Sequence, residues 1–286
     1  MAGPELIPAG PVTGAAPAAA VPPILAYHKV DTRFELGFTQ IEPRVFRRQA
    51  ETLARAGYRA LGFEELRARL DGAVTPARGS EVVLTFDDGY AGLARHAFPV
   101  LADLGLKALV FVISDYVGRD NSWDVQYGWR RFAHLDWDDL ARWQDKGIEV
   151  HSHGATHARL TWLPDAEALE ELERSRQAIA ARLGRAPGGI AYPFGSVDGR
   201  LRALAAQAGY VLGFAGPGRR GADPLALPRR PVYGWDTFAT PLVLRGSPLS
   251  GLGLGLARVT SRCAVGTAVI QRALGRRYGK GLGAGD

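Results

Sequence analysis

Cysteine occurs only once in the 286 residues, at Cys263, which excludes an internal disulfide framework. With no His near it in sequence, that thiol reads as a small apolar packing residue rather than a nucleophile. No run of eighteen apolar residues occurs, so no membrane-spanning helix is expected. The stretch from Gly251 to Ile270 comes nearest, and Arg258 and Arg262 interrupt it. Residues 1–23 lack the basic start and the continuous apolar stretch of a secretory signal, and read as a flexible leader rich in Ala, Pro and Gly. On that reading the chain works in the cytoplasm or on the cytoplasmic face of a membrane rather than outside the cell. Acidic residues are nearly missing from one segment: between 257 and 286 only Asp286 stands against Arg258, Arg262, Arg272, Arg276, Arg277 and Lys280. Most of the net charge of +6 therefore sits in that tail, and a nucleic-acid surface across the whole protein is not expected.

What is present is the make-up of a globular protein, with 47% hydrophobic and 22% charged residues and a length suited to one sizeable core. Short apolar runs alternate with helical patterns. Strands are expected at 24–27, 58–61, 82–86, 108–113, 148–151, 189–192, 211–215 and 227–232. Helices are expected at 43–56, 91–104, 137–146, 165–183 and 199–208. The clearest is 165–183, where Leu169, Leu172, Ile179 and Leu183 approximate one apolar face and Gly184 supplies a stop. Such β-α alternation predicts an α/β fold with a parallel sheet and helical crossovers, open or closed into a barrel. The expected organisation is the leader, one catalytic domain over 24–245, and a basic amphipathic tail over 246–286.

The chemistry concentrates in two segments. Thr85-Phe86-Asp87-Asp88-Gly89-Tyr90 places two carboxylates side by side at the exit of the run Val82-Val83-Leu84. Neighbouring strand residues point to opposite faces, so the two Asp should divide their labour, one holding a metal and one handling a proton. The residues alone leave open which does which. Downstream, His151-Ser152-His153-Gly154-Ala155-Thr156-His157 also follows a short apolar run. One helical turn would put His153 and His157 on one face. An Asp with two His makes a metal site that leaves positions for water and substrate. Active sites of sheet and barrel enzymes gather at the C-terminal ends of strands, where both segments fall.

These residues carry a resemblance. Thr85 to Tyr90, Ser152-His153 through His157, and Ala191-Tyr192-Pro193-Phe194-Gly195 resemble, in order, the three motifs of the polysaccharide deacetylases, carbohydrate esterase family 4 with its NodB homology domain. Ile24-Leu25-Ala26-Tyr27-His28-Lys29-Val30 is similar to the start of the poly-N-acetylglucosamine deacetylase branch. The likeness runs from about residue 24 to about 235. It implies a distorted (β/α) barrel with fewer strands than eight, and a hydrolase acting on carbon–nitrogen bonds of N-acetylated glycans. It implies Asp88, His153 and His157 as ligands of a divalent metal, zinc by preference, with Asp87 as general base and His28 as general acid. A backbone N–H at Tyr192 or Phe194 is expected to receive the oxyanion, since Pro193 has none to give.

The sequence departs from the family at Ala191, where many members carry an Arg that contacts the catalytic Asp. Arg229 or Arg230 could supply the missing charge. His151, on the same strand face as His153, is a candidate support for the metal ligands, whereas His96 and His134 read as surface or packing residues. Between strands lies a loop over 114–136 with Tyr116, Trp123, Tyr127, Trp129 and Phe132. It either lines a glycan groove, with Trp123 and Trp129 alongside Pro193, Phe194 and Arg229 as substrate contacts, or forms a satellite apolar cluster. The tail puts Val259, Cys263, Ile270 and Leu274 on one face and Arg258, Arg262, Arg272 and Arg276 on the other. Such a helix either lies on an anionic membrane or docks on the barrel with its Arg residues solvated. Two rivals to an N-deacetylase remain: an O-acetyl esterase on glycan, and an inactive carbohydrate-binding module.

Overall fold

The computed structural model describes residues 21–33, 39–72, 80–123, 131–218, 223–234 and 236. The leader up to residue 20, Tyr127, Trp129, and the whole of the tail with Cys263 and its Arg face lie outside these residues. No helix among the described residues is long and apolar enough to cross a membrane.

In chain order the strands are β1 (Ile24–Tyr27), β2 (Lys29–Val30), β3 (Gln40–Ile41), β4 (Tyr58–Ala60), β5 (Ser80–Phe86), β6 (Ala108–Val112), β7 (Ile148–Ser152), β8 (Gly189–Ala191), β9 (Leu212–Ala215), β10 (Leu227–Pro228) and β11 (Arg230–Pro231). The helices are α1 (Pro43–Arg55), α2 (Phe63–Leu70), α3 (Gly92–His96), α4 (Phe98–Asp103), α5 (Trp137–Gln144), α6 (Asp165–Leu183) and α7 (Gly199–Gln207). The main sheet runs β10-β9-β8-β7-β6-β5-β1-β11, with β4 beside the start of β5, and every pairing in it is parallel. The expected strand at 227–232 is two short pieces. Leu227 and Pro228 pair with β9, Arg230 and Pro231 pair with β1, and the segment thereby joins the two edges of the sheet. Proline at 228 and 231 tolerates this because neither end needs a full ladder. Among the described residues the result is a distorted (β/α) barrel of seven staves, with β10 and β11 sharing one and β4 set aside at the start of β5.

Alternation along the staves divides the core in two. Ile24, Val83, Leu109, Phe111, Ala191, Leu212, Phe214 and Leu227 fill the barrel interior. Leu25, Tyr27, Leu84, Phe86, Val110, Val112 and Val150 face the surrounding helices. The expected helix at 91–104 is broken into α3 and α4 at Ala97, because Pro99 stands in the first turn of a new helix and cannot continue the old one. Helix α2 was not foreseen: its eight residues are too short to show a period. It is nonetheless the plug of the barrel bottom. Phe63 and Leu66 enter the interior cluster, and a Cβ on Gly189 would meet the Phe63 ring at 3.0 Å, so glycine there makes room for the plug. His151 belongs to this floor. Its ring lies 4.4 Å from Phe63, and its Nδ1 accepts from Gly189 N at 3.3 Å.

Phe63 is almost fully buried, so Phe63→Ala should empty the floor and cost about 3 kcal/mol of stability in urea unfolding. The groups at the opposite end should keep their properties. A loss under about 1 kcal/mol would show that α2 does not plug the barrel.

Candidate metal and hydrolytic site

The site lies at the C-terminal mouth of the barrel, where β1, β5, β7 and β8 end. Asp87 leaves β5 on its inward face, as Val83 and Thr85 do. Adjacent strand residues should diverge, yet Asp88 also faces the mouth. The reason is local: Asp88 adopts φ of 67°, a left-handed conformation that ends the strand and turns the second carboxylate back. His157 (φ 64°) and Phe194 (φ 60°) are the other non-glycine residues with positive φ among those described. Each such conformation costs about 1–3 kcal/mol and persists only where the surroundings over-determine it. All three border this one site.

His153 and His157 do not share a helical turn. The chain from 153 to 157 is irregular, and Gly154, with φ of 79°, starts its reversal. The two imidazoles converge nonetheless. Asp88 Oδ1 lies 3.4 Å from His153 Nε2 and 3.5 Å from His157 Nε2, and all three residues are buried. Their ligand atoms fall within 4.8 Å of one another, a grouping that could hold a metal ion. Tetrahedral zinc, with bonds of about 2.1 Å, would separate its ligand atoms by about 3.4 Å. Asp88 Oδ1 is buried and makes no hydrogen bond among the described residues, an orphaned acceptor of the kind a cation satisfies. The donor set fits a divalent metal.

The electrostatics agree. Burial raises the Asp88 carboxyl, but the two imidazoles beside it outweigh this and hold it well below the usual carboxylate range. Burial pushes His157 down to about 3, keeping it neutral with a lone pair to offer. His153 is raised: burial opposes its charge, and Asp87 and Asp88 together prevail. His153 Nδ1 pairs with Ala191 O at 2.7 Å, which leaves Nε2 to face Asp88. That carbonyl, rather than His151 on the floor, orients His153. His157 Nδ1 has no hydrogen-bond partner. Its ring is held by packing between Trp123 at 4.0 Å and Phe194 at 4.8 Å.

Asp87 stands apart from this trio. Arg229 Nη1 donates to Asp87 Oδ1 at 2.6 Å and Nη2 donates to Oδ2 at 2.7 Å, a fork-on-fork pair with both partners buried. Arg229 is fixed in turn by Thr85 Oγ1 and Ala215 O, each at 3.3 Å. It occupies the break between β10 and β11, which turns its side chain into the barrel. Burial raises the Asp87 carboxyl, and Arg229 more than reverses that. Arg230 lies elsewhere, 3.8 Å from Asp236. The charge missing at Ala191 is thus supplied by Arg229 from the far end of the sheet. His28 Nε2 lies 3.9 Å from Asp87 Oδ2, with its side chain 28% exposed at the rim. Burial lowers its basicity, and Asp87 and Asp88 oppose that.

At the third motif, Tyr192 does not reach the mouth. Its N–H donates to Phe214 O at 3.0 Å, its hydroxyl to Leu225 O at 3.0 Å, and the ring is fully buried with the α6–α7 cluster. A committed sheet amide cannot receive an oxyanion. Phe194 N–H has no hydrogen-bond partner among the described residues, and the Phe194 ring lies 4.8 Å from that of His157. The turn is tightly made: a Cβ on Gly195 (φ 64°) would come within 2.4 Å of Gly216 Cα. Pro193 is buried beneath this turn. Trp123 is also buried, in a cluster with Tyr90, Ile113 and Phe132. His134 Nδ1 faces Arg119 O at 2.9 Å, and its Nε2 accepts from Trp123 Nε1 at 3.3 Å. The described part of the aromatic loop is therefore a satellite cluster that presses on His157. His134 is thus a packing residue, as expected, whereas Glu171, a buried carboxylate inside α6, carries no sequence signal. No spacing rule distinguishes a buried helical Glu from the exposed ones around it.

A family model described as polysaccharide deacetylase matches residues 75–213. That segment, a little under half of the chain, is similar to the polysaccharide deacetylases. Among relatives, YxkH of Bacillus subtilis, named as a polysaccharide deacetylase, is 26% identical over 67% of this chain. Chitin deacetylase 1 of Cryptococcus neoformans is 27% identical over 44% of it. The chain spans only 63% of YxkH and 23% of the chitin deacetylase. In fold, IcaB from Ammonifex degensii superposes with a TM-score of 0.68 at 25% identity, covering 78% of this chain and 95% of that one. The matched segment contains Asp87, Asp88, His153, His157 and Phe194. His28 and Arg229 lie outside it, so their places in this barrel rest on the geometry given above.

Titration with zinc should find one tight site in the parent protein. Asp88→Ala, His153→Ala and His157→Ala should each weaken it at least about a hundredfold. Asp87→Asn should keep it within a few-fold. Tight binding retained after loss of any of the three, or lost with Asp87→Asn, would place the ion elsewhere.

Proposed function

We propose that the chain is a zinc-dependent hydrolase that removes N-acetyl groups from amino sugars of a polysaccharide or glycan precursor. The observation that supports this most strongly is the division of labour between the neighbouring carboxylates. Asp88 joins two imidazoles, while Asp87 is kept out of that trio by the Arg229 fork. A carbohydrate-binding module has no use for an ionised carboxylate beside a metal ligand; a hydrolase needs one.

When bound, the metal supplies Lewis acidity, making a water easier to deprotonate and an acetyl carbonyl easier to attack. Asp87 is the group that takes the water proton. Arg229 holds it ionised at neutral pH and fixes both oxygens in place. The N–H of Phe194 is the candidate donor to the oxygen that gains charge as the carbonyl is attacked. An amine leaves only when protonated, and His28 is the donor: it sits on the rim, 3.9 Å from Asp87 Oδ2, where the leaving nitrogen would lie against it. The partly exposed His28 ring can exchange its proton with solvent between turnovers.

The test is acetate release from a panel of N-acetylated and O-acetylated glycans, with and without chelator. Release from an N-acetylated glycan that stops on chelation and returns with zinc is expected. Asp87→Asn should lower kcat by about a hundredfold to ten-thousandfold while keeping zinc. His28→Ala should depress amide hydrolysis far more than ester hydrolysis, because an alkoxide leaves without a proton. Equal losses, with esters the better substrates, would favour the O-acetyl esterase.

Arg229→Met should act on pH dependence. Asp87 accepts a proton only when ionised, and Arg229 holds its pKa down against burial. Without the guanidinium the pKa rises, so the acid limb of kcat/KM should move to higher pH. An unmoved acid limb would remove Asp87 from the role of base.

A further inference from the structure

The loop that delivers His157 is secured in an unusual way. His157 Nδ1 has no partner among the described residues, so none of them supplies the hydrogen bond that commonly orients a metal-binding imidazole. Trp123 and Phe194 pack against the ring, and what sets where the ring starts from is the backbone beneath it, which is in a left-handed conformation at His157. Something has to hold residues 154–156 rigidly.

Glu171 does so from within α6. Its Oε2 accepts the N–H of Ala155 at 3.1 Å and that of Thr156 at 2.9 Å. Its Oε1 accepts Thr156 Oγ1 at 2.9 Å and Arg174 Nη2 at 3.2 Å. Arg174 reaches on to Asp115 Oδ2 at 3.1 Å. The opposite edge of the loop is fixed by the end of β6, where Ser114 N donates to Gly154 O at 3.2 Å and Asp115 N to Ala155 O at 3.1 Å. Gly154 N in turn reaches Ser152 Oγ at 3.1 Å, and that hydroxyl pairs with Ser175 of α6 at 2.8 Å. The N–H groups of Gly154, Ala155 and Thr156 are all taken, and among the described residues the charged acceptor on them is Glu171. A buried carboxylate on two adjacent amides is a strong tie, because charge-assisted hydrogen bonds in a dry site exceed neutral ones.

We infer that Glu171 is a positioning residue for the metal, acting through the Ala155–Thr156 amides to set the place of His157. The inference rests on the reading of Asp88, His153 and His157 as ligands. Its consequence is specific: loss of the Glu171 tie should loosen one ligand of three and leave Asp88 and His153 in place.

Zinc affinity measured by chelator competition on the full chain tests this, with the His157→Ala variant as control. Glu171→Ala should weaken zinc about tenfold to a hundredfold. Glu171→Gln, whose amide oxygen can still accept both N–H groups, should stay within about threefold of the parent. Thr156→Val, which removes only the hydroxyl contact, should fall between them. If Glu171→Ala is insoluble, Thr156→Val decides: a loss of several-fold supports the tie, and parental affinity overturns it. Parental affinity in a soluble Glu171→Ala, with affinity lost in His157→Ala, would refute the positioning role alone. Parental affinity in His157→Ala as well would refute the ligand assignment beneath it.

Discussion

The paired hydrogen bonds between Arg229 and Asp87 join the last stave of the barrel to the second structural element that matters, the exit of β5. Without them the buried Asp87 carboxylate would lose the guanidinium that does most to offset its burial, at a cost of several kcal/mol. The pair also explains the shape of the closing segment. A continuous strand from 227 to 231 would have its register set by one neighbour. Breaking it at residue 229 lets Leu227–Pro228 belong to β9 and Arg230–Pro231 to β1. The break frees Arg229 to turn inward, so one backbone irregularity both closes the barrel and arms its mouth.

Around that pair, the mouth is built by local departures from regular structure. Asp88, His157 and Phe194 each take a left-handed conformation. Each departure has an identifiable counterweight. The Asp88 turn is bounded by Leu135 N donating to Gly89 O at 2.8 Å. The His157 loop is held by α6 and β6, and the Phe194 turn is locked by Gly195 against Gly216. A rigid barrel with a plugged floor is what allows three strained residues to coexist at the other end. Stability is spent at the mouth and recovered in the interior and helix-facing cores.

Much of this was legible beforehand because the relevant signals are local. Strand exits with Asp-Asp and His-x₃-His needed only apolar runs and adjacent titratable residues, and α6 showed its period over 165–183. Other features depend on contacts that no window along the chain contains. The two Asp residues share the mouth through a backbone φ, not through strand alternation. His153 and His157 converge through a loop, not a helical turn. Tyr192 looked equivalent to Phe194 until its amide proved to be paired with β9. The choice between Arg229 and Arg230 turned on which side of a break each falls. Short α2, with its Phe63 plug, carries too few residues to announce itself, and Glu171 resembles any other helical glutamate until the loop above it is in place.

The central claim is that three side chains from two distant segments grip one ion while Asp87 stays free of it. Zinc-edge anomalous diffraction from crystals grown with zinc tests this most directly. The account predicts one strong peak within about 2.0–2.2 Å of a carboxylate oxygen of Asp88 and of Nε2 of both His153 and His157, with Asp87 still on Arg229. A peak bonded to Asp87 in place of Asp88, or no peak at the mouth while zinc binds elsewhere, would contradict it.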